Sequence, residues 1–277
     1  MKQKIHKGEL RFALLFKMKF AKLLIFLLLI YSQSYSQISS IYSGKIHKFA
    51  LNLSYIYNAH KADFYQLPNV PNCCPHFEDG YGNAFSAYLS YEYSFLNRLS
   101  AGIRVGIESL YGKLTATENQ YILINEKLEL ATIGHNLEGK FLNLLIIPNI
   151  NYQIIYGLNV FAGLEFGLLV GKNFYQVETL LVPENYGTFE NGLRIRNEKT
   201  GSIQSNQSFL VFSYAGLSYD FPLENSNTFL ISPEISFSYQ FNSFLKESLW
   251  KTSSIRFGIT FKYSPGTSLA SPIKPQS

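Results

Sequence analysis

The stretch SIRFGITFKY, residues 254–263, alternates without a break. Ile255, Phe257, Ile259, Phe261 and Tyr263 fall on one face, and Arg256, Gly258, Thr260 and Lys262 on the other. A period of two is the mark of a β-strand with one apolar and one polar face. The apolar face is bulky and ends on an aromatic. The other face carries glycine, a hydroxyl and two cations. A water-soluble sandwich also alternates, so the placement of charge decides: here it stands opposite the bulky face, among small residues.

Seven further runs repeat the pattern. Lys48–Ala59 sets Phe49, Leu51, Leu53, Tyr55 and Tyr57 against Asn52, Ser54 and Asn58. Tyr81–Phe95 sets Phe85, Leu89, Tyr91, Tyr93 and Phe95 against Ser86, Ser90, Glu92 and Ser94. The run from Leu99 sets Ile103, Val105 and Ile107 against Arg104, Gly106 and Glu108. Lys140–Ile155 contains Pro148, which lacks a ladder donor. Leu158–Gly171 places Glu165 on its polar face, Phe209–Phe221 places Asp220 there, and Thr228–Asn242 places Glu234 there. Apolar faces outside and a polar, packed interior describe a membrane barrel. In lipid every backbone group must be paired, so such a sheet closes on itself.

Connection lengths agree. Leu96–Arg98, Tyr156–Gly157 and Pro222–Asn227 are short, whereas His60–Gly80, Leu114–Gly139 and Lys172–Ser208 are long. Short periplasmic turns alternating with long external loops are the habit of outer-membrane barrels. The expectation is an all-β, transmembrane, antiparallel up-and-down barrel of eight strands, with both ends periplasmic. Tyr121–Thr132 and Tyr175–Leu181 are apolar enough to extend strands beyond the membrane, or to supply a further hairpin and raise the count to ten.

The first 36 residues read as an address. Seven bases (Lys2, Lys4, Lys7, Arg11, Lys17, Lys19, Lys22) accompany one acid, Glu9, ahead of LLIFLLLIY at 23–31 and the small polar SQSYSQ. That order is a secretory signal peptide. Its apolar run is about 14 Å long as a helix, too short to span a bilayer. Cleavage is expected after Ser36, and Met18 offers an alternative start. The expected organisation is a signal at 1–36, a periplasmic segment at 37–47, the barrel at 48–263 and a short periplasmic tail at 264–277. The whole chain carries 24 Lys+Arg and 19 Asp+Glu, and removing the signal leaves 17 and 18, a net charge of −1. The basicity belonged to the signal, so nucleic acid is not an expected partner.

The chain resembles the small outer-membrane β-barrel family of Gram-negative bacteria, often described as porin-like. The resemblance covers Phe49 to Tyr263 and rests on the eight alternating runs and on SIRFGITFKY, which is similar to the C-terminal strand read by the barrel-assembly machinery. It implies residence in the outer membrane, contact with its lipid and lipopolysaccharide, and handling by that machinery during biogenesis. It also leaves room for an extracellular or membrane-protein partner.

An eight-stranded barrel is just wide enough for side chains to fill. The inward set contains Glu92, Arg104, Glu108, Glu165, Asp220, Glu234, Arg256 and Lys262. Unpaired, these charges would be costly. The expected arrangement is an ion-pair network that plugs the barrel, with a narrow path for ions or small solutes as the alternative. Cys73 and Cys74 are adjacent in the first long loop, beside Pro75 and His76. In an oxidising compartment they suit a loop disulfide, free thiols or a bond to another chain, and their spacing matches no standard zinc site. No cofactor and no metal are expected. No nucleophile elbow, Walker motif, HExxH or dinucleotide fingerprint occurs. His76 and His135 could reach the outer rim, where lipid-modifying enzymes keep their histidines. The expectation is nevertheless a non-enzymatic protein with a structural or surface-interaction role.

Overall fold

A computed structural model of the chain describes residues 47–70, 76–124, 127–204, 206–224 and 227–265. The signal segment and most of the tail lie outside these residues. The elements are β1 His47–Phe64, β2 Phe77–Ser94, β3 Leu99–Ile124, β4 Lys127–Ile155, β5 Leu158–Val182, β6 Ile195–Ser202, β7 Phe209–Tyr219, β8 Phe221–Pro222, β9 Phe229–Gln240 and β10 Leu249–Tyr263.

Every pairing is antiparallel, and the ring β1-β2-β3-β4-β5-β7-β9-β10 closes where β10 pairs with β1. Leu53 stands opposite Ile259 on β10 and opposite Ala87 on β2. Two elements fall outside the ring count. β8 keeps the register of β7 against β9, so the two are one strand interrupted at Asp220. β6 pairs only with β5, above β7. The ring therefore has eight strands, and the ten-strand alternative is set aside.

The alternation read from sequence maps onto burial. On β1, Phe49, Leu51, Leu53, Tyr55 and Tyr57 are each 41–50% exposed, whereas Asn52, Ser54, Ile56 and Asn58 are buried. Equivalent faces on the other seven strands complete an apolar belt. From Phe49 to Tyr57 the belt measures about 27 Å along the strand, or about 20 Å in height at a ~40° tilt, close to the apolar band of a membrane barrel. Soluble monomers rarely expose a contiguous apolar surface of this extent, which marks a membrane or interaction face.

The segments expected as long loops are largely strand. β3 and β4 pair continuously from Leu99↔Tyr152 to Ile124↔Lys127, so Leu114–Gly139 is a hairpin and not a loop. The cause is visible in the residues: Tyr121-Ile122-Leu123 and Leu128-Glu129-Leu130 continue the alternation past the membrane. β5 likewise runs on to Val182, and Ile195–Ser202 returns beside it as β6. The short end turns tightly, with Gly157 at φ 77°, a region glycine enters without strain. Pro148 faces lipid, and β4–β5 pairing is absent at Ile147–Pro148 although the register is the same on either side.

Candidate functional site

The inward side chains stack in layers. Nearest the periplasm, Lys48 Nζ donates to Glu92 Oε1 at 3.0 Å, and Ser100 adds a bond at 2.7 Å. Lys262 Nζ donates to Asp220 Oδ1 at 2.6 Å, and Ser232 and Asn159 also bond that carboxylate. One layer up, Arg104 Nη1 reaches Glu234 Oε1 at 2.7 Å and the Tyr214 hydroxyl at 2.9 Å, with its guanidinium 4.7 Å from the Phe161 ring centre.

At mid-barrel Arg256, only 1% exposed, lies between two carboxylates. Its Nη2 donates to Glu108 Oε2 at 2.6 Å and to Glu165 Oε2 at 3.0 Å. Tyr88 donates to Glu108 Oε2 at 2.6 Å, and its ring lies across Gly106 of β3, where a side chain would collide with it. The eight charged residues singled out from sequence thus all face inward and fall into four ion-paired groups in three layers. Sequence reasoning missed three members. Lys48 starts the first run, and Tyr88 and Tyr214 sit at inward positions among small residues, which is the signal that could have found them.

The outer mouth was also missed. Above the belt the interior turns apolar, with Phe64, Phe77, Leu110, Leu114, Leu137, Phe141, Phe244 and Trp250 packed together. Phe141 and Phe244 stack at 4.2 Å, and Trp250 meets both edge-on. His60 pins this plug. Its Nδ1 accepts from Trp250 Nε1 at 3.1 Å and from the Thr252 hydroxyl at 2.9 Å, and its Nε2 donates to the Tyr111 carbonyl at 3.0 Å. Two donors converging on Nδ1 fix the tautomer with hydrogen on Nε2. Burial pushes the imidazole down to about 4, opposed in part by the Tyr111 bond.

Beyond the plug stands a second polar cluster. Glu178 of β5 is fully buried and accepts from Arg196 Nε and Asn197 Nδ2, both at 2.8 Å. His135 lies between Glu178 at 3.7 Å and Glu118 at 3.8 Å, buried, with neither ring nitrogen hydrogen-bonded. Burial lowers its pKa while the two carboxylates oppose that shift. His76 is separate from this cluster. It bonds Asp63 at 2.7 Å and Glu78 at 3.2 Å, and the Asp63 bond raises its pKa. Among the described residues no group of histidine, cysteine and carboxylate side chains is arranged to hold a metal. Cys73 and Cys74 lie outside the described residues.

The cavity beside Lys48, Glu92, Arg104, Asn149 and Lys262 measures about 20 Å³, room for about one water.

No known protein-family pattern matches the chain, and no curated protein matches it in sequence. Among solved structures, Ail, the attachment invasion locus protein of Yersinia pestis, is 12% identical, with 79% of this chain and 100% of that one covered, at a TM-score of 0.35. The outer membrane protein OprG of Pseudomonas aeruginosa is 10% identical over 80% of this chain and 98% of its own, at 0.33. The outer membrane protease OmpT of Escherichia coli is 7% identical over 82% and 99%, also at 0.33. These are outer-membrane β-barrel proteins. At such identities and scores, the ring of paired strands and not the likeness carries the fold.

Proposed function

We propose that this chain is an integral barrel of a Gram-negative outer membrane, exported by a cleaved signal peptide, with a structural or surface-interaction role. The observation that carries this reading is the occluded interior. Three ion-paired layers and an aromatic plug fill the interior, the cavity beside Lys48, Glu92, Arg104 and Lys262 measures about 20 Å³, and strands β3 to β5 extend well past the belt. Such a molecule would work through its outside: a lipid-facing wall in contact with lipid and lipopolysaccharide, and an extracellular sheet available to a partner. Folding would pass through the barrel-assembly machinery, for which the last strand is the recognition element.

The alternative, a narrow porin-like channel, requires a continuous wet path, and the packed layers weigh against it. The reading is also non-enzymatic. His60 is held by three hydrogen bonds inside the plug, and His135 is buried under the outer sheet. The test compares cells expressing the intact chain with cells in which Glu118–Ile133 is replaced by Asn-Gly, which joins the register pair Thr117 and Gly134. Attachment of cells to protein-coated surfaces should fall with the hairpin removed, and entry of a small chromogenic solute should be the same with and without the protein. Solute entry that rises with expression would overturn the proposal in favour of the channel.

A further inference from the structure

The aromatic plug at the outer mouth is fastened by a single imidazole. His60 stands above the apolar belt: Lys61, the next residue of β1, and Lys251, opposite it on β10, already put charge on the outer face of the wall at that level. On the inner face the ring lies over Gly112, where a side chain would strike it. It meets Trp250 edge-on at 6.2 Å and Phe244 at 6.3 Å between ring centres. Its hydrogen bonds have a direction. Nε2–H is committed to the Tyr111 carbonyl, so Nδ1 of the neutral ring is a lone pair, and it receives both the Trp250 N–H and the Thr252 O–H.

A proton arriving on Nδ1 turns both of those contacts into donor against donor. Thr252 can adapt, because a hydroxyl rotates and accepts as readily as it donates. Trp250 cannot, because the indole nitrogen only donates. Its buried N–H then faces a cation in place of its acceptor, and a buried donor left unbonded is costly. No carboxylate offsets the new charge. Lys61 and Asp63 of β1, Asp79 of β2, Lys113 of β3 and Lys251 of β10 alternate to the outer face, and Lys246 and Glu247 of the β9–β10 connection are exposed. Burial holds the proton off, opposed in part by the Tyr111 bond. Trp250 also clamps the connection that closes the mouth. Its carbonyl accepts from the Phe244 N–H at 2.8 Å, its own N–H donates to Ser243 Oγ at 2.8 Å, and its ring abuts Phe141 and Phe244. An indole that leaves His60 gives up those ring contacts as well.

We propose that His60 is a proton-sensitive latch on the outer mouth: the neutral ring holds Trp250 and the plug in place, and protonation of Nδ1 releases Trp250 and loosens segment 243–245 while the barrel wall stays closed. This goes beyond the surface-interaction reading, since it gives the mouth two states, and the acid state shows aromatic side chains to the external solution. The ion-paired layers beneath are not part of the latch, so its release opens no pore.

The test uses the full mature chain folded in detergent micelles. Trp250 is the chain's single tryptophan, so its emission and its quenching by acrylamide report the plug. Far-ultraviolet circular dichroism reports the wall, and the magnetic resonance of a labelled His60 ring reports the proton. On acidification from neutral pH, the emission should move to the red and quenching should rise roughly threefold, in step with the ring and with a midpoint near 4. Circular dichroism should stay unchanged, and neutral pH should restore the starting state. His60→Gln, which cannot titrate, should show no such transition. If that variant does not fold, the parent decides alone, by whether ring titration and Trp250 release coincide. Titration of the ring with no change at Trp250 would overturn the proposal, and so would the same transition in His60→Gln. Release of Trp250 only together with loss of the wall's circular dichroism would also overturn it, as would a ring that stays neutral well below its expected midpoint. In none of these cases would the surface-interaction reading be affected, since it rests on the filled interior at neutral pH.

Discussion

Arg256 decides what the interior costs. Its guanidinium is the counter-charge for both Glu108 and Glu165, and all three side chains are buried. Arg256→Met would strand two carboxylates and is expected to destabilise the barrel by about 3–5 kcal/mol. Replacing the three together, with Glu108→Gln and Glu165→Gln added, should recover most of that loss. Urea unfolding followed by the fluorescence of Trp250, the chain's single tryptophan, measures both. A single variant within about 1 kcal/mol of the parent would show that the triad is solvated. His60 supplies the pH dependence. Its folded pKa, about 4, lies below the ordinary value of 6.5, so the unfolded chain takes up the proton first. Stability should fall as pH drops from 6.5 towards 4 and then level off as far as this group is concerned. His60→Gln, which has an acceptor and a donor but no titration, should remove that part of the slope.

At the scale of elements, Pro148 is a removable defect. It breaks the β4–β5 ladder on the lipid face, where an unmade backbone bond has no water to replace it. Pro148→Ile should restore the bond and stabilise the barrel by about 1 kcal/mol in the same unfolding experiment. The segment joining β9 to β10 has the opposite role, since Phe244 seals the mouth against Phe141 and Trp250. Phe244→Ala should cost about 3–5 kcal/mol, yet the variant should stay electrically silent, because the charged layers beneath are untouched. The elements were also what the sequence stated best. Eight runs of period two, and the alternation of short and long connections, gave the ring and its polarity directly. The outer hairpins were less legible, because Lys113, Thr115, Thr117 and Asn119 make the outward face polar there and the stretch reads as loop until β4 is placed beside it. The plug was illegible for a different reason. Phe64, Phe141, Phe244 and Trp250 come from distant parts of the chain, and only barrel closure and the return of the β9–β10 connection bring them together.

At the scale of the whole molecule, three zones follow from one alternating pattern. Where the outward residues are apolar the wall faces lipid, where the inward residues are charged they pair across the lumen, and where β3, β4 and β5 outrun their neighbours an open sheet stands in the external solution. The inward charges could be assigned to the lumen by parity, but their partners could not, because pairs such as Arg104–Glu234 depend on which strands face each other across the closed ring. A barrel filled in this way acts through its surface. The most direct test is single-channel recording of the folded protein in planar bilayers, with folding verified by heat-dependent gel mobility. The account predicts no discrete current steps from a preparation that shows the mobility shift. Reproducible steps from that same preparation would contradict it and make the lumen the working part of the molecule.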